Sequence, residues 1–164
     1  MSKNFNVLGA ETIGAAQRGG SVVSHIRLSD GEIYSPIISR GQADLLIGME
    51  CVEMLRHLRL LNPQGTYLLN SLRIPTVLNN MGLDEYPDLQ EILEAARKYC
   101  PNGYVIEASV LAKKLGNIQM TNVVMLGALV RVMPFFEYER IKEIIKENSP
   151  ARFQEANLKG FAEG

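Results

Sequence analysis

The amino-acid sequence predicts an α/β protein: one three-layer α/β/α domain with a mostly parallel central sheet and a helical carboxyl-terminal part. Three observations carry this. A continuous apolar run, Ala43-Asp-Leu-Leu-Ile-Gly48, leads into residues 49–61, where Val52, Leu55, Leu58 and Leu61 recur at helical spacing. Thr66-Tyr-Leu-Leu-Asn70 begins a second strand after only Asn62-Pro-Gln-Gly65, so the segment is a βαβ unit with parallel strands and a right-handed crossover. From Thr121 onward the apolar spacing is helical.

The remaining elements follow in order. Asn4-Phe-Asn-Val-Leu-Gly9 reads as a short strand that turns at its glycine. Ser21-Val-Val-Ser-His-Ile-Arg-Leu28 is rich in β-branched residues and alternates, with Val23, His25 and Arg27 on one face and Ser24, Ile26 and Leu28 on the other. Asp30-Gly31 supplies a turn, and Glu32-Ile-Tyr-Ser35 is expected to return antiparallel until Pro36 stops the ladder. Residues 71–86 hold Pro75, Asn79, Asn80 and Gly82 without long periodicity, which predicts a loop with at most one short strand. Pro87 opens a helix that runs to Tyr99 with Leu89, Ile92, Leu93 and Ala96 inward, and Pro101-Asn-Gly103 closes it. Tyr104-Val-Ile-Glu-Ala108 is the next strand, and a short helix from Ser109 to Leu115 ends at Gly116. Helices over 121–132, 136–148 and 150–163 complete the chain; in the second, Ile141, Ile144 and Ile145 form the apolar stripe opposite Lys142, Glu143, Lys146 and Glu147.

Composition narrows the function classes. The 164 residues, 46% hydrophobic and 21% charged, suit a single soluble domain over residues 1–164. A net charge of -1, from 17 basic and 18 acidic side chains spread along the chain, offers no one-sign field for nucleic acid or a membrane surface. Residues 122–130, the most apolar stretch, end at Arg131 and Pro134, short of the roughly 20 residues that span a bilayer. The two cysteines, Cys51 and Cys100, read as buried free thiols in a reducing cytoplasm. Their number matters, because a [4Fe-4S] cluster takes four thiolates and this chain has two.

The most unusual stretch is Gly14-Ala-Ala-Gln-Arg-Gly-Gly-Ser21. Gly19 and Gly20 permit close backbone approach, Arg18 brings a planar charged fork, and Gln17 and Ser21 add neutral hydrogen bonds. Such a loop suits an anion or a partner's backbone, and equally a surface turn that needs positive φ. It is neither a Walker loop nor a dinucleotide fingerprint, since the spacing differs and a strand follows it. His25 lies mid-strand beside this loop, either near a site or as a satisfied strand histidine. Cys51 and His57, six residues apart on a helix, point in different directions, so no metal site is expected. Glu50 and Glu53 complement a helix dipole, but Glu50 also lies just past the carboxyl end of a parallel strand, where open α/β sheets place ligands. Glu11 is expected in a similar position after the first strand. No catalytic acid, base or nucleophile is assignable.

The string Ala16-Gln-Arg-Gly-Gly-Ser-Val-Val-Ser-His-Ile-Arg27 resembles the β-subunit family of indolepyruvate ferredoxin oxidoreductases, which belongs with the γ subunits or domains of pyruvate and other 2-oxoacid ferredoxin oxidoreductases. The likeness continues through Tyr34-Ser-Pro36, residues 43–50, Pro63-Gln-Gly-Thr66, Gly116-Asn117 to Gly127, and Glu155-Ala-Asn-Leu158. It implies ferredoxin-dependent oxidative decarboxylation of an arylpyruvate to an acyl-CoA, with coenzyme A as co-substrate. It also implies that thiamine diphosphate and [4Fe-4S] clusters sit on a larger partner subunit and that none is bound by this chain alone. Gln17, Arg18, Gly19, Gly20 and Ser21, with His25 and Glu50, are then the residues expected to face substrate or partner. A γ subunit for pyruvate, 2-oxoglutarate or a branched-chain 2-oxoacid is the alternative within the family. Outside it stands a lone α/β binding module or an inactive remnant. Members of the family begin with a strand and a Gly-x-Gly-Gly-Gln-Gly-like turn, then a helix, ahead of the strand that starts here at Asn4. The chain reads as short by that βα unit, and a sheet without it exposes an edge unless a partner covers it.

Overall fold

A computed structural model of the chain describes residues 5–13 and 21–164. Strands β1 (Asn6–Ile13) and β2 (Val22–Ser29) pair antiparallel, with Asn6 opposite Ser29 and Ile13 opposite Val22. The rest of the α/β unit is β3 (Ala43–Gly48), α1 (Cys51–His57), β4 (Leu61–Asn70), α2 (Val77–Asn80), α3 (Leu89–Tyr99), β5 (Gly103–Ile106) and α4 (Ala108–Lys114). Helices α5 (Thr121–Val132), α6 (Tyr138–Asn148) and α7 (Gln154–Glu163) follow.

Strands β3, β4 and β5 form a parallel sheet in that order. Because the strands step in one direction, right-handed crossovers put α1 and α3 on the same face. Successive residues of β4 then divide the core. Leu69 faces Met54, Ile92 and Ala96 of the α1/α3 layer, while Leu68 faces Ala108, Ala112 and Val124 of the α4/α5 layer. Both leucines are fully buried, each worth roughly 1.5–3 kcal/mol of transfer free energy. The three-layer α/β/α architecture with its helical carboxyl-terminal part is as the sequence predicts.

Several details differ from the sequence-based expectation. The run 32–35 forms no strand. Eight residues of β1 offer β2 a longer ladder than four residues cut short by Pro36, and Asn6 Nδ2 donates to the Gly31 carbonyl (2.9 Å), holding the turn against β1. The first strand is therefore half of an antiparallel ribbon separate from the parallel sheet. The helix expected over 49–61 ends at His57, passes through a 3-10 turn (Leu58–Leu60), and enters β4 at Leu61. Residues 62–65 are absorbed as an irregularity opposite Asp44, where Pro63 has no N–H to give the ladder. The segment 71–86 contains the short helix α2 and no strand. Pro87 precedes the helix it was expected to open, since Asp88 caps α3 in a reciprocal box with Glu91. Strand β3 is not covered on both faces: Ile47 is 39% exposed on what is an edge strand among the described residues.

The alternation in β2 is as expected, with His25 buried and Val23 and Arg27 half-buried on one face. The opposite face of the ribbon leaves Val7, Ile13, Val22, Ile26 and Leu28 exposed. No helix among the described residues is long and apolar enough to cross a membrane.

The terminal helices lock onto α5 through backbone contact. Gly127 lets the Phe161 carbonyl approach where a Cβ would lie 2.0 Å from its oxygen. Phe161 is fully buried and stacks on Tyr138 (4.7 Å between centroids), which ties α6 to α7. Gly127→Ala is expected to lower unfolding free energy in urea by about 3 kcal/mol, since backbone must move to admit the methyl; a change under about 0.5 kcal/mol would show that the helices do not meet this closely.

Candidate functional site

The carboxyl ends of the parallel strands are stitched together by polar side chains. Asn70, the last residue of β4, is fully buried. Its Nδ2 donates to the Met49 carbonyl and to Ser109 Oγ (both 2.9 Å), and its Oδ1 accepts from the Ser109 N–H (3.2 Å). Thr121 Oγ1 lies 3.3 Å from Ser109 Oγ and donates to the Ile118 carbonyl (2.7 Å). One amide thus joins the exit of β3 to the start of α4, leaving no polar group of Asn70 without a partner.

Glu50 sits on the same edge, 9% exposed, as the cap of α1. Its Oε2 accepts from the Glu53 N–H (2.8 Å); its Oε1 accepts from the Ile74 N–H (3.1 Å) and from the Tyr86 hydroxyl. Arg73 lies over the Tyr86 ring, 4.8 Å from its centroid, and donates to the Pro87 carbonyl (3.1 Å). A carboxylate that accepts three internal bonds is an anchor: it ties helix α1 to both ends of the segment 74–86. Burial pushes the Tyr86 hydroxyl well above the ordinary tyrosine range, helped by its hydrogen bond to Glu50 and by that carboxylate's charge. Burial also raises the Cys51 thiol, with Glu50 reinforcing and Arg73 opposing, so Cys51 is a protonated core residue at neutral pH.

Ser21 meets α1 on its outer side. Its Oγ donates to Glu53 Oε2 and lies 3.3 Å from His57 Nε2, while Arg56 pairs with Glu53 Oε1. Glu53 Oε2 is 3.8 Å from His57 Nε2, the same ring nitrogen that faces Ser21. A nucleophile relay needs the acid on the opposite nitrogen, so this cluster is a clasp holding the strand entry to α1. Glu53 links it to Glu50, giving its N–H to one and its carboxylate to the other. Gln17, Arg18, Gly19 and Gly20 lie outside the described residues.

His25 is elsewhere. It is buried and its Nδ1 accepts from the Ile38 N–H (3.2 Å), which places the proton of the neutral ring on Nε2, while Arg27 donates to the Ile37 carbonyl (2.9 Å). The pair binds residues 37–38 to the ribbon. Glu11 is not past a parallel strand as expected; it lies within β1 opposite Ser24, because that strand runs on to Ile13. Sequence reasoning passed over Asn70, Arg73, Tyr86 and Ser109. Only Asn70 carried a signal, as a polar residue closing the apolar run Tyr67-Leu-Leu.

Two cysteines cannot ligate a four-thiolate cluster, and both are engaged in the core: Cys51 Sγ approaches the Asn70 carbonyl (3.8 Å) and Cys100 Sγ the Gly65 carbonyl (3.2 Å). These residues do not fit an iron–sulfur group. Among the described residues no three His, Cys, Asp or Glu side chains converge as a metal site requires.

The raised Tyr86 hydroxyl has a consequence for stability. The neutral phenol is favoured in the folded state, so its contribution is complete below the unfolded pKa of about 10 and is lost as pH rises through the higher folded value. Tyr67, also raised by burial, acts in the same direction. Tyr86→Phe is expected to flatten the fall of unfolding free energy above pH about 10 without removing it, and an unchanged slope would contradict the Tyr86–Glu50 bond.

Residues 1–164 match the sequence pattern described as pyruvate ferredoxin/flavodoxin oxidoreductase. A protein of Archaeoglobus fulgidus named indolepyruvate oxidoreductase subunit IorB is 38% identical over 166 residues, covering 100% of this chain and 81% of the relative. The protein of the same name from Pyrococcus horikoshii is 33% identical over 98% of this chain and 80% of the relative. In fold, the chain is similar to the γ subunit of a keto/oxoacid ferredoxin oxidoreductase from Geobacter sulfurreducens (TM-score 0.65, 19% identity, 97% of this chain and 78% of the other). It is also similar to a 2-oxoglutarate:ferredoxin oxidoreductase from Magnetococcus marinus (TM-score 0.68, 18% identity, 97% of this chain and 25% of the other). With a match that runs from the first residue to the last and relatives aligned across the whole chain, the protein belongs to the pyruvate ferredoxin/flavodoxin oxidoreductase family.

Proposed function

We propose that this chain is the smaller, non-redox subunit of a heteromeric indolepyruvate ferredoxin oxidoreductase, working in the cytoplasm as one domain over residues 1–164. The complex oxidatively decarboxylates arylpyruvates such as indolepyruvate, passes the electrons to ferredoxin and forms the acyl-CoA. The larger subunit carries thiamine diphosphate and the [4Fe-4S] clusters, and coenzyme A is the co-substrate.

The observation that carries this reading is the set of relatives 33–38% identical over 98–100% of the chain, all named as the same indolepyruvate oxidoreductase subunit. The geometry is in keeping with it. Glu50, the described candidate at the ligand-binding edge of the sheet, spends its carboxylate on the fold, and the thiols are buried and protonated or held in the core. A chain so built contributes surface and position to chemistry done by another polypeptide. Gln17, Arg18, Gly19, Gly20 and Ser21 are the residues that meet substrate or partner; of these, Ser21 is clasped to α1.

Co-expression with the larger subunit tests the reading. Indolepyruvate-dependent reduction of ferredoxin or a viologen is expected only when both chains are present, and Arg18→Ala is expected to weaken assembly or turnover while the isolated chain keeps its melting temperature. A preference for pyruvate or 2-oxoglutarate would assign the chain to another branch of the family. Failure of any larger chain to associate would favour a lone binding module.

A further inference from the structure

We propose that Glu53 and His57 are positioning residues: acting through Ser21, they fix the point at which the contact residues Gln17 to Ser21 join the folded body. The inference rests on the subunit reading above and names what holds those residues in place.

The antiparallel ladder ends with Val22 opposite Ile13, so Ser21 lies one residue beyond the last strand pair. What holds it is α1. Its Oγ donates to Glu53 Oε2 and lies 3.3 Å from His57 Nε2. Among the described residues no other hydrogen bond joins residues 5–29 to the helices or to the parallel sheet. Gln17, Arg18, Gly19 and Gly20 immediately precede Ser21 in the sequence, so the place where Ser21 is held is the place from which they leave the body.

The acceptor is itself held from several sides. A glutamate on a helix surface ordinarily keeps its rotamer freedom, and an isolated surface pair then contributes little. Glu53 is different. Its side chain is 32% exposed, its Oε1 pairs with Arg56 and its Oε2 takes the Ser21 hydroxyl, with His57 Nε2 3.8 Å away. Its backbone N–H is given to Glu50 Oε2 (2.8 Å), which fixes the start of the helix that carries it. Glu53, Arg56 and His57 stand at helical spacings of three and four, so one face of α1 presents all three together. His57 complements the carboxylate: with the ring proton on Nε2, the ring donates to the Ser21 oxygen while the Ser21 proton goes to Glu53. A hydroxyl held through both its proton and its oxygen has one position. Such preorganisation lowers the ordering cost of binding for a contact segment.

The test titrates the wild-type chain and the variants Ser21→Ala, Glu53→Ala, Ser21→Ala/Glu53→Ala, His57→Ala and Ser21→Thr against the purified larger subunit. Ser21→Ala and Glu53→Ala are each expected to weaken association about threefold to tenfold, as for one net hydrogen bond, and His57→Ala at least about twofold. The double variant is expected to lose no more than the weaker single variant, since both changes open one clasp. Ser21→Thr keeps the hydroxyl and is expected to bind within about twofold of wild type, and all the isolated chains to share one melting temperature. Wild-type association by Ser21→Ala, losses that multiply in the double variant, or a loss in Ser21→Thr equal to that in Ser21→Ala would each overturn the positioning role and leave the subunit reading standing. Unchanged association by His57→Ala would strike His57 from the assignment. A melting temperature that falls in step with association would make the clasp a general support of the fold and overturn the positioning role. Absence of association by the wild-type chain would overturn the subunit reading and the positioning role with it.

Discussion

The carboxylate of Glu50 is the constraint on which the functional end of this molecule depends. A charged group this well buried is stable only if its lone pairs are taken, and here they are taken by three donors from three places in the sequence: Glu53, Ile74 and Tyr86. Removing any one donor leaves some of the cost of desolvating the carboxylate unmet. The same group therefore starts helix α1, fixes where the chain goes after β4, and closes the base of the segment 74–86. Asn70 acts in the same way at the end of the neighbouring strand, where its single amide connects β3, β4 and α4. Between them the two residues turn the carboxyl end of a small parallel sheet into a rigid platform.

That platform decides what the described residues offer at the sheet edge of this oxidoreductase-family chain. In open α/β sheets the carboxyl edge is where ligands bind, and polar residues there are ordinarily free to meet them. In this chain those polar residues are bonded to each other and to the backbone. Beside the edge, α2 and its flanks expose Ile74, Val77, Leu78, Met81 and Leu83 between the exposed charges of Arg73, Asp84 and Glu85. Two buried cysteines cannot supply the four thiolates that a [4Fe-4S] cluster takes. Ser21, clasped by Glu53 and His57, ties the entry of β2 to the same helix that Glu50 caps, so α1 carries both features.

The layers were legible in the sequence because they rest on periodicity. Ala43 to Gly48 and the helical spacing of Val52 and Leu55 located the βα unit, and alternation in β2 placed His25 inward. What could not be read were choices settled by competition between partners. The run 32–35 and the run 6–13 both had strand character, and only the latter was long enough to pair with the whole of β2. Leu61 has the apolar spacing of the preceding helix, yet it belongs to β4, since a parallel partner at Ala43 was available to it. Glu50 was singled out for its position, but its role depends on Ile74 and Tyr86, 24 and 36 residues away, and no local pattern announces a donor at that distance. Asn70 could have been found from its polarity at the end of a buried run.

The most direct measurement of Glu50 as this anchor is amide hydrogen exchange on the Glu50→Ala chain. The Ile74 amide and residues 76–83 are expected to lose protection while β4 and α5 keep theirs, because the base of the segment 74–86 would be released without disturbing the core. Unchanged protection at Ile74, or a uniform loss across the whole chain, would contradict a local anchor at Glu50.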